Sequence, residues 1–464
     1  MSNRTALVVQ PDAPILNLDE IGLYTVGYAY RGGQEQLFPP GWSSYFEEKT
    51  GVACQPAGLV NGKQAFLLHC PWRGGTGVAF QTFTIRLPRA RNAFLRGFTA
   101  MRPGTVERSD GVTFRIFVNG KKVLEEHRTD AQWKPFRIDL SPYLGQTVTL
   151  RFETDPGPKD DPSWDFSLWA ERELVLEGYQ PVQKARPAPP PLKLQTLTSV
   201  PNGTIAPRSA FAHRTSLQVR DDTAIFRYQG DDGVLEYRWR KPRPDDPNPF
   251  GEWTLRAQMK GDSPVEVPLA TTATLEFVMD GLPIGAQWER KGDTIVCARR
   301  YREGRAGVTL RITAKLFHKS LVLELEADRP GIRLLDAGGW GPVMRRRQVV
   351  TPYYSGQVFY LPAENLFVNA ILDWTHSHAT AHDGLRAQYN ALTDGSRNAL
   401  RERVVFTAAW HMAEVLPNIP NPPSPFLKQV GDRIVLDIWG GQFVDIARGF
   451  EQLAAHGIDR KSVV

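Results

Sequence analysis

The chain has 464 residues, of which 41% are hydrophobic and 23% are charged, and its formal net charge is +6. This length accommodates two or three domains, and this composition is that of an ordinary globular protein. The basic residues are interspersed, and the only compact basic run is residues 345–347. A nucleic-acid-binding protein is expected to show a basic stripe or a known motif, so nucleic acid is not expected as a partner.

The sequence shows no segment for export or membrane insertion. Residues 1–20 lack a basic region followed by an apolar core, and no apolar stretch approaches the length that spans a bilayer. Cys54, Cys70 and Cys297 lack metal-ligand spacing, and the first two would pair only in an exported protein, so free buried thiols are favoured. We expect no membrane partner, and a bacterial protein that is cytoplasmic or exported by another route.

The first segment, residues 1–180, has the pattern of an antiparallel β-sandwich. Apolar residues alternate along several short stretches, and Asn119-Gly120 is a strong signal for a two-residue hairpin. The alternating positions are Phe83, Ile85 and Leu87, then Val112, Phe114, Ile116 and Val118, then Val148, Leu150 and Phe152. Short strands with frequent turn residues predict a jelly-roll type of sandwich.

Two proline-rich linkers divide the chain into three segments, and they are residues 181–194 and 416–425. Between them, residues 195–415 have longer alternating strands, with a turn at Asp231-Asp232-Gly233. About two hundred residues of this kind predict a larger two-sheet sandwich. The chain therefore contains two β domains before its last segment.

The last segment, residues 426–464, has the pattern of one strand-helix-strand unit. Residues 433–438 form an apolar run rich in β-branched side chains, and apolar residues then recur at helical spacing from Phe443 to His456. Gly457 fits a helix C-terminus, and Val463 begins a second strand. This unit is the repeat of a parallel sheet or barrel, and one copy cannot bury both strand faces, so we expect a truncated barrel.

Several motifs resemble those of a known class of enzyme. The motifs are residues 110–120, Trp133, residues 139–141, residues 154–157 and residues 164–169. They resemble the galactose-binding-like jelly-roll modules of glycoside hydrolases. Residues 195–415 are similar to the mutarotase-like supersandwich that precedes the catalytic (β/α)8 barrel of α-galactosidases and endo-α-N-acetylgalactosaminidases. The predicted fold class is therefore mainly β, with a jelly-roll sandwich, a supersandwich and the first β-α unit of a truncated barrel.

This resemblance implies the carbohydrate-binding N-terminal portion of a glycoside hydrolase, with a glycan as partner. In those enzymes the catalytic carboxylates lie on later barrel strands, so no catalytic residue is assigned here, and residues 1–464 alone are expected to be inactive. Two alternatives stay open. One is a non-catalytic carbohydrate-binding or adhesion protein, and the other is a sugar epimerase that uses the region His376–His382.

Candidate sugar-contacting residues occur in four places, because aromatic rings stack on sugars and polar tips bind hydroxyl groups. They are Trp72, Trp133 and Trp164 in the first segment, Tyr353 and Tyr354, the group Asp373, Trp374, His376 and His378, and finally Asp437 and Trp439. Structural roles compete with this interpretation. The tryptophans at strand ends are more often core residues, and the other three groups equally suit domain interfaces.

Two groups of residues contain side chains of the types that bind metal ions. On a strand, His376 and His378 would point to the same side, but no acidic or cysteine ligand is clearly placed beside them, so no metal is assigned there. A structural calcium ion is suggested by a group of aspartates, which are Asp155, Asp160, Asp161 and Asp165. No other cofactor is expected.

Overall fold

The computed structural model describes residues 8–181, 186–192, 204–303, 306–350, 358–418, 426, 435–436, 438–458 and 462–463. The described residues up to Pro417 belong to one compact unit, and those from Asn418 onward belong to a second. Strands and turns dominate, which confirms the predicted mainly β class. Among the described residues, no helix is long and apolar enough to cross a membrane.

The first sandwich consists of thirteen strands in two sheets. They are β1 (Val8–Val9), β2 (Ile15–Asn17), β3 (Thr25–Tyr30), β4 (Gln36–Leu37), β5 (Ala53–Val60), β6 (Lys63–His69), β7 (Gly77–Arg86), β8 (Asn92–Met101), β9 (Val112–Val118), β10 (Lys121–Arg128), β11 (Lys134–Asp139), β12 (Thr147–Asp155) and β13 (Ser167–Glu177). One sheet has the order β10-β9-β12-β7-β3-β4, with β1 parallel to β7. The other has the order β11-β8-β13-β6-β5, with β2 beside β13.

The core of this sandwich is formed by the alternating residues that the sequence marks. All ten predicted apolar positions are buried, and they pack with Phe66, Leu95 and Trp169 of the facing sheet in one cluster. The predicted hairpin is also present, because Val118 pairs with Lys121 across Asn119 and Gly120. These two residues have φ angles of 50° and 78°, which the primed hairpin turns require.

The second sandwich contains three sheets. Its strands are β14 (His213–Arg220), β15 (Thr223–Gly230), β16 (Gly233–Arg240), β17 (Glu252–Met259), β18 (Val265–Leu269), β19 (Thr274–Phe277), β20 (Gly281–Lys291), β21 (Thr294–Glu303), β22 (Ala306–Phe317), β23 (Ser320–Ala327), β24 (Ile332–Asp336), β25 (Arg347–Gln348), β26 (Phe359–Leu361), β27 (Leu366–Leu372), β28 (Ala381–Asp383), β29 (Arg386–Gln388) and β30 (Arg401–Ala409). Their orders are β14-β15-β16-β17-β18, β19-β24-β29-β28 and β20-β21-β22-β23-β30-β27-β26-β25.

One apolar core joins these three sheets. Trp239 and Trp253 stack in it at 4.7 Å between ring centroids, and Cys297 is buried in the same cluster. Cys54 and Cys70 are buried in the first sandwich, and all three cysteines are free, as predicted. Burial raises the pKa of each thiol, so the thiolate form is disfavoured.

The segment that follows β24 reaches into both sandwiches. Met344 packs in the core of the first sandwich, whereas Val343 packs in the core of the second. Gly22 N donates a hydrogen bond of 3.0 Å to Met344 O, and Arg345 forms an ion pair of 3.0 Å with Asp12. Apolar and polar contacts therefore both join the two sandwiches within the first unit.

The last part of the chain forms one strand-helix-strand unit. Strand β31 (Val435–Leu436) pairs in parallel with β32 (Ser462–Val463), and helix α1 (Phe443–Ala455) lies between them in the chain. Gly457 has a φ angle of 82° and its N–H bonds Ala454 O, which ends the helix as predicted. The strand-helix-strand prediction is confirmed for these residues, and the barrel itself stays a prediction.

Candidate functional site

Two exposed tryptophans lie at one end of the first sandwich. Trp72 follows β6 and is 41% exposed, and Trp164 precedes β13 and is 44% exposed. The ring of Trp72 lies against Gly51, where an added Cβ atom would come within 2.3 Å of the indole Nε1. The backbone N–H of Trp72 also bonds Thr50 O at 3.0 Å. The loop before β5 therefore fixes the position of the Trp72 ring.

Trp164 has an unusual backbone conformation. Its φ angle is 65°, in the left-handed region that a bulky side chain rarely adopts. The chain is held there by hydrogen bonds from Phe166 N to Trp164 O at 2.8 Å and from Ser167 N to Asp165 O at 2.9 Å. Strain of this kind persists where the surrounding structure imposes it, and it is concentrated at functional sites.

Aromatic rings connect the two tryptophans. Phe46 makes edge-to-face contacts at 5.9 Å with both Trp72 and Phe166, and Phe166 lies 6.3 Å from Trp164. The His69 ring packs 5.4 Å from Phe46 and 5.2 Å from Phe166. We name Phe46, Trp72, Trp164 and Phe166 the aromatic platform.

Guanidinium groups and a buried histidine surround this platform. Arg73 lies 4.3 Å over the ring of Trp72, and Arg108 lies 4.5 Å over the ring of Trp164. Burial lowers the pKa of His69 to about 4, so its imidazole is neutral at pH 7. The platform thus combines apolar faces with cationic hydrogen-bond donors, a combination that suits ligands with hydroxyl or carboxylate oxygens.

A buried acidic pair lies beside the platform. Asp165 is fully buried and accepts a hydrogen bond of 2.5 Å from Ser109 Oγ. Its Oδ2 and both carboxylate oxygens of Asp110 have no hydrogen-bond partner among the described residues. Burial, with a smaller contribution from the charge of Asp110, raises the pKa of Asp165 to about 8. The sequence marks Asp165 only as a possible calcium ligand, and its proximity to Asp110 follows from the fold.

Trp133 has a different position from the other two tryptophans. It is half-buried, its Nε1 donates a hydrogen bond of 3.1 Å to Val60 O, and it packs on Ala53 and Leu67 at the outer face of the second sheet. Phe46 and Phe166 pack on the same small cluster. Trp133 therefore packs on the same cluster as Phe46 and Phe166 of the platform.

The four aspartates do not form the predicted calcium site. Arg31 bonds Asp155 at 2.8 Å and Asp160 at 2.7 Å, and Arg115 also bonds Asp155 at 2.8 Å. Asp165 is engaged with Ser109 instead. Within the described ranges, no three acidic, histidine or cysteine side chains are gathered for a metal ion. The prediction of calcium at these aspartates was wrong because arginines neutralise two of them.

The group around Asp373 differs from its prediction. Trp374–His376 form a 3-10 turn rather than a strand, because the Asp373 side chain accepts a hydrogen bond from Thr375 N and caps the turn. His376 and His378 therefore do not share one side of a strand. Asp373 is fully buried and paired with Arg403 at 3.1 Å, whereas Trp374 is 44% exposed.

A series of hydrogen bonds near this turn joins the predicted region His376–His382 to Tyr389 and Glu402, which the sequence did not indicate. Glu402 is fully buried, and its Oε1 accepts hydrogen bonds from Tyr389 Oη at 2.5 Å and from Ser377 Oγ at 2.8 Å. Ser377 Oγ lies 2.9 Å from Nε2 of the exposed His382. Because the serine hydroxyl hydrogen is used toward Glu402, the imidazole is the donor to Ser377. This series connects a surface imidazole to a buried carboxylate.

Of the four remaining predicted residues, the structure describes one. Tyr353, Tyr354 and Asp437 lie outside the described residues. Trp439 is 91% exposed and precedes α1. The structure therefore brings together Trp72 and Trp164 from the predicted set, and it places the Asp373 group elsewhere, on the second sandwich.

Comparisons with known proteins identify no family. No family model matches the chain. An uncharacterised protein of Archaeoglobus fulgidus is 36% identical over 93 residues, which are 18% of this chain and 23% of that protein. The match thus spans less than a quarter of that relative's length.

The chain also has likenesses to solved structures. The CBM51 module of Clostridium perfringens GH95 in complex with methyl-galactose is 11% identical, with a TM-score of 0.20 over 35% of this chain and 99% of that one. The M60 catalytic domain with two CBM51 domains from C. perfringens ZmpB is 10% identical, with a TM-score of 0.22 over 85% and 40%. A GH2 β-galacturonidase from Eisenbergiella tayi is 10% identical, with a TM-score of 0.19 over 72% and 43%.

Proposed function

We propose that this chain binds carbohydrate at the aromatic platform of its first sandwich. The observation that carries the proposal is Trp164, whose large apolar ring is held at the surface on a left-handed backbone. A ring that served only the core would be buried, as Trp169 is. An exposed indole offers an apolar face for sugar C–H groups, and Arg73 and Arg108 offer donors for sugar oxygens.

The platform has the properties of a pre-formed site. Trp72 is fixed by contact with Gly51, and Phe46 and Phe166 hold the two indoles in one connected set of rings. A rigid site loses little conformational entropy when a ligand binds. We therefore expect the platform to bind one or two sugar residues without rearrangement.

We further propose that this binding serves a multidomain glycoside hydrolase. The order of a jelly-roll sandwich, a larger sandwich and a β-α unit supports this proposal, as the sequence resemblance does. A catalytic barrel is part of this proposal, and its alternative is a non-catalytic adhesion role for the same platform. Purified residues 1–464 are expected to bind glycans without hydrolysing an aryl glycoside, and robust release of the aryl group would contradict this.

Replacing Trp164 is the direct test of the platform. Trp164→Gly removes the ring and also relieves the positive φ angle, so the variant is expected to be no less stable than the wild type. Its affinity for a binding glycan should fall about 30-fold, which corresponds to about 2 kcal/mol. A glycan array would identify the ligand, and titration calorimetry with thermal unfolding would separate binding from stability.

Trp374→Gly is the matched control, because Trp374 is also 44% exposed but lies on the second sandwich. Its affinity should equal that of the wild type. The opposite result, with full binding by Trp164→Gly and loss in Trp374→Gly, would move the site to the Asp373 group. Equal binding by both variants would refute both locations.

A second candidate function is sugar epimerisation. The observation that favours it is the series of hydrogen bonds from His382 through Ser377 to Glu402. Interconversion of anomers needs a base for the anomeric hydroxyl proton and an acid for the ring oxygen. Glu402→Gln should then lower the rate of anomer interconversion at least about 100-fold. The control is Glu326→Gln, whose carboxylate is 59% exposed on β23. Polarimetry with glucose would exclude this function if the wild type adds nothing to the spontaneous rate.

A further inference from the structure

A cavity of about 270 Å³ lies between the two sandwiches, apart from the aromatic platform. The first sandwich contributes residues 19–22, Tyr24, residues 40–41, Ser43, Pro56 and Phe66 to its walls. The second sandwich contributes residues 271–272 and the glycine-rich segment 338–343. No residue of the platform lines this cavity, so its occupant is independent of a ligand on Trp72 and Trp164.

One part of the cavity wall is closely packed backbone. An added Cβ atom at Gly22 would lie 2.5 Å from Val343 O, so these two segments touch through their main chains. Thr271 Oγ1 donates a hydrogen bond of 2.8 Å to Gly341 O, and Met344 is anchored in the core of the first sandwich. The cavity is therefore held open by the same contacts that join the two sandwiches.

The lining combines aromatic surface with hydroxyl groups and balanced charge. The aromatic members are Tyr24, Phe66, Trp340 and Phe359, and the hydroxyl members are Ser43, Thr271 and Thr272. Asp19 is neutralised by Arg172, with 2.7 Å between its Oδ1 and the guanidinium Nε. Glu20 and Arg346 are the remaining charges, one of each sign. A cavity with no net charge and mixed polarity suits an uncharged polar molecule rather than an anion.

A buried arginine behind the wall holds Asp19 in place. Arg172 is fully buried, and neither its Nη1 nor its Nη2 has a hydrogen-bond partner among the described residues. Its guanidinium bonds Asp19 and lies 4.8 Å from the ring of Phe66, and both of these residues line the cavity. The same guanidinium lies 4.7 Å from the ring of Phe152, so aromatic faces enclose it and it fixes Asp19 at the cavity wall without reaching the cavity itself.

We propose that this cavity binds one uncharged sugar ring or a polyol of similar size. Its volume is just below the range of drug-sized pockets, which fits a single ring better than an oligosaccharide. Trp340 and Tyr24 supply apolar faces, and Asp19, Glu20 and the threonines supply hydrogen-bonding groups for hydroxyls. The chain then has two carbohydrate sites, one on exposed loops and one between its sandwiches.

The test uses the full chain and titrates glucose, galactose and N-acetylglucosamine separately by calorimetry and ligand-observed NMR. Thr272→Trp should fill the cavity and weaken monosaccharide binding at least 10-fold, because Thr272 lines it and makes no side-chain hydrogen bond in the described part of the chain. Glu20→Gln keeps the shape and should weaken binding about 3- to 10-fold. Both variants should retain the wild-type thermal unfolding transition.

The double variant Trp72→Ala/Trp164→Gly is the matched control, because it removes the platform and leaves the cavity intact. It should keep one monosaccharide site per chain, and Thr272→Trp should keep any glycan binding to the platform. Equal monosaccharide affinity in the wild type and in both folded cavity variants would overturn the proposal. If the double variant bound no monosaccharide, the cavity would hold only water. This result would also overturn the proposal, whatever the platform binds.

Discussion

Lys319→Ala is expected to destabilise the second sandwich by about 3–5 kcal/mol, because it removes the only cation from a buried triad. Lys319 lies just before β23, and its Nζ forms ion pairs with Asp232 and, at 2.5 Å, with Glu414. The three side chains are at most 3% exposed. Without the lysine, two buried carboxylates would face each other without a counter-charge.

Hydrogen bonds around the triad hold the carboxylates in place. Tyr228 Oη donates a hydrogen bond of 3.0 Å to Asp232, and Ser209 Oγ and Ala210 N donate to Glu414 at 3.1 Å and 3.0 Å. The carboxylates therefore cannot turn toward water when the lysine is lost. Replacing all three charges together, in Lys319→Met/Asp232→Asn/Glu414→Gln, should cost less than Lys319→Ala alone.

Lys315→Ala is the matched control for this experiment. Lys315 lies four residues earlier, and its ion pair with Glu324 has a similar length of 2.9 Å, but its side chain is 40% exposed. An exposed pair contributes about 1 kcal/mol or less. Urea unfolding at pH 7 should separate the two variants by at least about 2 kcal/mol. Equal losses would show that burial of the triad has no energetic consequence.

The fold was predictable where the information is local. The alternation of Phe83, Ile85 and Leu87 and the Asn119-Gly120 turn depend on neighbouring residues, and the structure contains the strand and hairpin that they predict. Helix α1 was predictable for the same reason, because its apolar spacing and Gly457 lie within fifteen residues. Local periodicity therefore accounts for the elements of this chain.

The polar sites were not predictable, because their members lie far apart in the sequence. Lys319 is separated from Asp232 by 87 residues and from Glu414 by 95. Glu402 meets Ser377 across 25 residues, and Asp165 meets Ser109 across 56. No spacing rule links such residues, so only the sheet topology reveals them.

The tryptophans show how backbone conformation decides between a surface role and a core role. At strand ends, Trp72 and Trp164 were more expected in the core than at the surface, yet both are more than 40% exposed. Trp164 is exposed on a left-handed backbone, and sequence patterns do not report φ. The His376 error is similar, because capping by Asp373 ends the extended conformation.

A second large effect is expected from pH, through Asp165. Burial raises the pKa of this carboxyl to about 8 from an ordinary value of 3.8, and the charge of Asp110 adds to the effect. Asp155 and Asp161 also face it, and Ser109 donates to it. Between pH 4 and pH 8 the folded protein therefore holds a proton that the unfolded chain releases. The contribution of Asp165 to the free energy of unfolding should fall as the pH rises through this window, on the order of 5 kcal/mol in total.

Two histidines oppose this trend on the acidic side. Burial lowers the pKa of His69 and of His318 to about 4, with the charges of His213 and Arg208 also acting on His318. The unfolded chain then binds more protons than the folded protein between pH 6.5 and pH 4, so stability falls as the pH decreases through that window. The wild type should therefore be most stable at an intermediate pH, near 6.

Asp165→Asn tests the contribution of the carboxyl, because the amide keeps the shape and cannot ionise. At pH 8 the variant should be more stable than the wild type, whereas at pH 4 the two should be nearly equal. Asp161→Asn is the control, since this exposed aspartate has its pKa lowered by Ser163 and should leave the alkaline decline in place. Thermal unfolding from pH 4 to pH 9 measures all three proteins. A wild type with constant stability from pH 6 to pH 8 would contradict a buried proton on Asp165.

Because Asp165 lies between Trp164 and Phe166, the same titration should weaken binding at the aromatic platform as the carboxyl ionises, and Asp165→Asn should abolish that pH dependence.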